Sequence, residues 1–97
     1  MPNWDTARGF IKTRRDALAS KSFSELAALE EFSTIAPPEA LRPFQFTVYR
    51  KSLSDGSLKV IVEGWKSHFF GMWTTKVADG FVISPSSVRR ELSSNEF

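Results

Sequence analysis

The residues that could do chemistry in this 97-residue chain are few. It contains no cysteine and a single histidine, His68. No second histidine and no nearby carboxylate stands at a spacing that would orient the imidazole for base catalysis. The lack of cysteine also excludes disulfides, thiolate nucleophiles and sulfur-ligated zinc. We therefore expect a structural or surface role for His68, with no bound metal and no cofactor.

The hydroxyl and carboxyl groups do not form a recognisable catalytic set. The serines around Asp55 and Pro85 lie where turns and caps are predicted, and there hydroxyls satisfy backbone N–H groups. Glu30 and Glu31 are adjacent and would diverge on a helix, while Glu63 stands alone on a predicted strand. The glycines are isolated and form no phosphate-binding loop. The sequence indicates a non-enzymatic protein.

The segment richest in aromatic residues runs from Trp65 to Trp73. Its apolar residues occupy both parities of a strand, so one face cannot take them all. If Phe69, Gly71 and Trp73 face the helices, Phe70 and Met72 must meet a second covering element, a partner subunit, a ligand or solvent. This pattern predicts an interaction surface at Trp65, Phe70 and Met72 that binds a protein partner or a second copy of the chain.

The distribution of basic residues predicts an alternative function, which is weak binding of nucleic acid. Basic residues crowd the first helix, and a lysine lies beside Trp65 in the aromatic segment. The residues proposed for this role are Arg8, Lys12, Arg14, Arg15 and Lys66. Such binding would weaken with salt as phosphates are neutralised. Glu25, Glu30 and Glu31 follow in the next segment and could neutralise the basic helix within the chain.

Composition predicts one folded domain over residues 1–97. The chain is 41% hydrophobic, with a formal net charge of +2, far from the composition of disordered proteins. Its beginning lacks a basic region followed by an apolar run, and no segment approaches the roughly 20 apolar residues of a membrane span. The expectation is a cytoplasmic protein without a membrane segment.

Two helices are predicted at the start of the chain. Residues 5–20 carry apolar side chains at helical spacing, including Phe10, Ile11 and Leu18. Ser22-Phe23-Ser24-Glu25 matches a capping box and predicts the start of a second helix. We expect this helix to end before Pro37-Pro38, followed by a connector over 36–43.

A strand pair is predicted next. From Phe44 to Lys51 apolar and polar residues alternate, as one half-buried strand requires. The Asp55-Gly56 pair predicts a tight turn that leads into a second strand over 58–62. Gly64 indicates a bulge or close packing.

The remaining pattern predicts two more strands and a helix. A third strand over 68–77 turns at Ala78-Asp79-Gly80 into a fourth over 81–83. Ser84-Pro85 is typical of a helix start and predicts a short helix over 88–92. The predicted fold is therefore α+β: two N-terminal helices and a short C-terminal helix packed on one face of an antiparallel three- to four-stranded meander.

Overall fold

A computed structural model describes residues 4–36, 44–68 and 73–92, without the side chains of 67, 68 and 73–75. One long helix lies across an antiparallel sheet of five strands, which pair in chain order. The elements are helices α1 (Trp4–Ala19) and α2 (Phe23–Ala27) and strands β1 (Phe32–Ile35), β2 (Gln45–Ser52), β3 (Leu58–His68), β4 (Trp73–Ile83) and β5 (Arg89–Glu91). The predicted α+β class is confirmed, whereas the numbers of helices and strands differ.

The two N-terminal helices begin where the sequence predicts. In α1 the side chains of Ala7, Ile11 and Leu18 are buried, because their spacing places them on one side of the helix. Ser22 caps α2: its hydroxyl accepts the Glu25 N–H at 3.2 Å, and the Glu25 carboxylate accepts the Ser22 N–H at 3.2 Å. Both hydrogen bonds of the predicted capping box are present.

The predicted length of the second helix is wrong. α2 ends at Ala27, and residues 32–35, which were expected in the helix, form β1 instead. β1 pairs with β2 from Phe32↔Tyr49 to Ile35↔Phe46, and the Arg50 N–H donates to the Glu31 carbonyl at 2.9 Å. The exposed edge of β2 offers these residues a backbone partner that the sequence pattern does not reveal. The prolines at 37 and 38 and most of the predicted connector lie outside the described residues.

The predicted β2–β3 hairpin is confirmed. The Leu53 N–H donates to the Ser57 carbonyl at 2.8 Å, and Gly56 adopts a φ of +87°, in the left-handed region that favours glycine. The Asp55 carboxylate accepts the Ser57 N–H at 2.9 Å and closes the turn from within. The turn thus fixes the register of β2 against β3.

The predicted third and fourth strands are wrong in their boundaries. β3 continues from Leu58 to His68, and β4 is a single strand that pairs with it from Leu58↔Ile83 to His68↔Trp73. The expected turn at residues 78–80 lies in the middle of β4, opposite residues 61–63. The long register with β3 keeps the chain extended there.

The predicted C-terminal helix is also wrong. Residues 89–91 form β5, which pairs with β4. The Ser84 hydroxyl accepts the Val88 N–H at 3.1 Å, but the Ser84 N–H also donates to the Val88 carbonyl at 2.9 Å, and the chain reverses direction. Ser87 adopts a φ of +67° in this turn. Ser84-Pro85 therefore begins a turn between strands.

The core lies between α1 and the sheet. Its largest fully buried side chains include Ile11, Phe46, Phe81 and Ile83. Gly64 on β3 lies directly under α1, because a Cβ there would stand 2.8 Å from both the Ile11 Cδ1 and the Phe46 Cε1 atoms. Close packing, one of the two roles predicted for Gly64, is what the structure has.

No helix within the described ranges has both the length and the apolar character needed to cross a lipid bilayer.

Candidate functional site

The two faces of the sheet differ in what covers them. Phe46, Val60 and Phe81 point to the face that α1 covers. Because side chains alternate along a strand and paired residues share a face, the registers define the opposite side, here called the open face. Its members on the described strands are Phe32, Thr34, Gln45, Thr47, Tyr49, Lys51, Lys59, Ile61, Glu63, Trp65, Lys76, Ala78, Gly80, Val82 and Arg90.

A groove of about 790 Å³ crosses this open face from β1 to β4. Most of its lining belongs to the open face, with Ile35 and Phe46 reaching it from the other side. The lining residues are Phe32, Thr34, Ile35, Ala36, Gln45, Phe46, Thr47, Tyr49, Glu63, Trp65 and Lys76.

The row at the floor of the groove combines the short side chains of Thr34 and Thr47 with one carboxylate. Thr34, Thr47 and Glu63 are cross-strand neighbours, and Ala78 continues the same row on β4. Thr47 is buried although it faces away from α1. Short side chains in this row leave a depression between the larger side chains on either side of it. Glu63 lies in the middle of the depression and is 18% exposed.

Aromatic side chains form the two walls. Trp65 lies on one side, in register with Gln45 on β2 and Lys76 on β4. On the other side Phe32 and Tyr49 are cross-strand neighbours, with ring centroids 5.3 Å apart and planes at 67°. This edge-to-face arrangement is a favourable one for aromatic pairs. Phe32 is nevertheless 54% exposed.

The Glu63 carboxylate interacts with Tyr49 on one side and with Lys76 on the other. Glu63 lies diagonally across from Tyr49 on β2 and from Lys76 on β4. Burial raises the pKa of the Tyr49 phenol, and the negative charge of Glu63 and a hydrogen bond with it raise that pKa further. The Lys76 ammonium lies 3.9 Å from the Glu63 carboxylate. The groove therefore holds one negative group between a neutral donor and a cation.

Cations form a row at one end of the open face, beyond Tyr49. Lys51 is directly opposite Lys59, and that row continues through Val82 to Arg90 on β5. We call Lys51, Lys59 and Arg90 the basic row. With Lys76, the open face carries four cations and one carboxylate on the described strands.

Partner binding by Trp65, Phe70 and Met72 stays a prediction. Trp65 forms a wall of the groove, whereas Phe70 and Met72 lie outside the described residues. Sequence analysis missed Phe32 and Glu63 as site residues. The alternation from Phe44 to Lys51 does place Tyr49 on the side opposite Phe46, but Phe32 carried no such signal because its spacing fits a helix.

The residues proposed for nucleic-acid binding do not share one surface. Arg8, Lys12 and Arg15 follow one flank of α1, while Arg14 is turned by about 100° from Arg15 and lies over the Phe10 ring at 5.8 Å. Arg8 is 3.1 Å from the Asp5 carboxylate, and Arg15 forms ion pairs with Asp16 and Glu91. These carboxylates do not come from the acidic segment at residues 25–31.

Lys66 lies away from the groove, on the face that α1 covers. Its ammonium is 5.5 Å from the centre of the Phe44 ring. Nucleic-acid binding by these five residues stays a prediction.

The groove combines aromatic side chains with groups that can form hydrogen bonds. A carboxylate can accept, a phenol can donate or accept, and an ammonium can donate, all between aromatic side chains. Among the described residues, no group of three or more histidine, aspartate or glutamate side chains could hold a metal ion. The arrangement is suited to binding a segment with mixed apolar and polar side chains.

Comparison with known proteins adds no relative: no protein-family model matches the chain, and neither the curated proteins nor the solved structures gave a significant match.

Proposed function

We propose that this protein is a non-enzymatic interaction module that binds a segment of a protein partner across the open face of its sheet. The observation that carries the proposal is the groove between Trp65 and the Phe32–Tyr49 pair. The proposal retains Trp65 from the surface predicted by sequence and adds Phe32 and Tyr49.

Exposed aromatic surface supports this function. Phe32 is more than half exposed on a four-residue edge strand. Full burial of a phenylalanine side chain contributes about 1.5–3 kcal/mol, so covering the exposed part of this ring contributes about 1 kcal/mol. Aromatic residues in a depression, with polar groups around them, are typical of the central contacts in protein interfaces.

The position of the groove favours a polypeptide over a small molecule. It crosses several strands and extends to β1, which lies at one edge of the described sheet. An edge strand has backbone groups that can pair with an extended segment, and side-chain pockets beside it then provide specificity. A partner segment could therefore combine backbone pairing with insertion of an apolar side chain.

A displayed library of random peptides, selected on the immobilised protein, tests the proposal. We expect enrichment of peptides that bind the wild type and bind Phe32→Ser several-fold more weakly. Val88→Ser is the matched control, because Val88 is 66% exposed and lies by β5, at the opposite edge of the sheet. Thermal unfolding of both variants shows that they remain folded.

Two results would remove the proposal. One is that no peptide is enriched over an unrelated immobilised protein. The other is that Phe32→Ser and Val88→Ser bind the selected peptides equally well. A concentration-dependent mass in solution, lost in Phe32→Ser and kept in Val88→Ser, would assign the same surface to a second copy of the chain instead.

A further inference from the structure

We infer that the segment bound by the open face is acidic, with an apolar side chain in the groove and carboxylates over the basic row. This inference rests on the function proposed above and specifies the chemistry of the partner. The charge of the open face is its basis: Lys51, Lys59, Lys76 and Arg90 share that face with the carboxylate of Glu63. Complementary charge determines the choice of partner and its rate of association.

The distance between the basic row and the groove determines how far apart the acidic and apolar residues of the partner segment must be. Lys59 precedes Ile61 by two residues and Glu63 by four on β3. At about 3.3 Å per residue, the basic row lies about 7 Å beyond the row of Tyr49 and Ile61 and about 13 Å beyond the row of Thr47 and Glu63, which line the groove. An extended partner segment that runs parallel to the strands, with an apolar residue in the groove, would therefore place carboxylates two to four residues further along.

The basic row holds like charges close together. Lys51 and Lys59 are direct cross-strand partners, an arrangement that is unfavourable without a neighbouring anion. Lys59 and Arg90 also interact with other groups within the chain. The inference therefore depends on the overall positive charge of the basic row and does not require an unpaired cation. A carboxylate placed between the two lysines would be attracted by both of them.

The chain itself brings one carboxylate towards this row. Hydrogen bonds from Ser57 lower the pKa of Asp55, and the positive charge of Arg90 lowers that pKa further. This carboxylate reduces the positive charge at one end of the row without reversing it. Lys51, at the β2 end of the row, is exposed.

A peptide fits the open face better than a single-stranded nucleic acid. A nucleic acid crossing the groove would bring phosphates past the carboxylate of Glu63, which repels them. A peptide can pass Glu63 with an uncharged residue and keep its carboxylates for the basic row.

Sequencing of the peptides selected on the wild-type protein tests the inference. We expect aspartate and glutamate to be enriched two to four positions from an apolar or aromatic residue. In fluorescence anisotropy with the most enriched peptide, Lys51→Glu should weaken binding by about tenfold, because an attractive charge becomes repulsive. Lys12→Glu makes the same charge change on the outer side of α1 and should leave affinity within about twofold.

The outcomes separate this inference from the function on which it rests. If peptides are enriched without acidic residues, or if Lys51→Glu and Lys12→Glu behave alike, the inference is overturned while the binding function remains. If no peptide is enriched, both are overturned. If an oligothymidylate competes with the selected peptide and Lys51→Glu weakens its binding, the open face binds nucleic acid and the acidic peptide is the wrong partner.

Discussion

The guanidinium of Arg15 on α1 donates a hydrogen bond to the carboxylate of Glu91 on β5, 76 positions later in the chain. The same guanidinium lies 5.8 Å from the centre of the Phe81 ring. Burial lowers the pKa of Arg15, but hydrogen bonds with Asp16 and Glu91 outweigh that effect, so the pKa is raised and the side chain stays charged. A short edge strand is thereby connected to the long helix.

This connection predicts a graded loss of stability. Arg15 is 17% exposed and Glu91 is 75% exposed, so most of the contribution comes from the packed arginine stem. We expect Arg15→Ala to lower the free energy of unfolding by about 1–3 kcal/mol and Glu91→Gln by less than about 1 kcal/mol.

Urea denaturation measures both changes. Arg15→Met should lose less stability than Arg15→Ala, because both lose the hydrogen bonds to Asp16 and Glu91 but methionine keeps the packing of a long apolar stem. Lys12→Ala, at an exposed site on the same helix, should stay within about 0.5 kcal/mol. Equal losses for Arg15→Ala and Lys12→Ala would contradict the role assigned to Arg15.

Three glycines should respond to alanine in a definite order. A Cβ at Gly80 would collide with the backbone carbonyl oxygen of Val60, whereas at Gly64 it would meet the side chains of Ile11 and Phe46 at 2.8 Å. Side chains can shift more easily than a paired strand. We expect Gly64→Ala to cost about 1–3 kcal/mol and Gly80→Ala to cost more.

Gly9→Ala supplies the control with the opposite sign. Gly9 lies inside α1, and apart from the helix's own backbone and the two chain neighbours no atom of the described residues stands within 4 Å of a Cβ placed there. Alanine in a helix interior is favoured over glycine by about 0.5–1 kcal/mol, so the midpoint of thermal unfolding should rise. A stabilised Gly80→Ala variant would show that β3 and β4 do not approach as closely as described.

The groove predicts a pH-dependent property of Tyr49. The raised pKa means that the folded state holds the phenolic proton more tightly than the unfolded state. This group therefore contributes stability below the ordinary tyrosine pKa, and the contribution is lost as the pH rises through the raised pKa.

Alkaline absorbance titration reports this pKa directly, because Tyr49 is the single tyrosine of the chain. In Glu63→Gln the pKa should move down towards its ordinary value and keep the part of the rise that burial causes. Asp55→Asn removes a carboxylate outside the groove and should leave the titration unchanged. An unaltered pKa in Glu63→Gln would show that the carboxylate does not act on the phenol.

Local signals in the sequence were sufficient where a single turn or cap completes the structure. Ser22 and Glu25 satisfy each other's backbone donors within four residues, so the start of α2 follows from the sequence. The same holds for the β2–β3 hairpin, where two alternating runs flank Asp55-Gly56. Trp65, which the aromatic pattern of the sequence singles out, lines the groove.

The tertiary structure decided the cases in which the same local sequence pattern is compatible with two backbone conformations. Asp-Gly occurs twice: Gly56 turns with a φ of +87°, while Gly80 stays outside the left-handed region within β4, opposite Ile61. The difference arises because β3 supplies backbone partners along the whole of β4. The stabilisation from that pairing is larger than the preference of Asp79-Gly80 for a turn. Backbone pairing with β2 likewise places Phe32 in a strand, although its spacing in the sequence fits a helix. Since that pairing brings Phe32 beside Tyr49, the groove itself depends on contacts between residues distant in sequence.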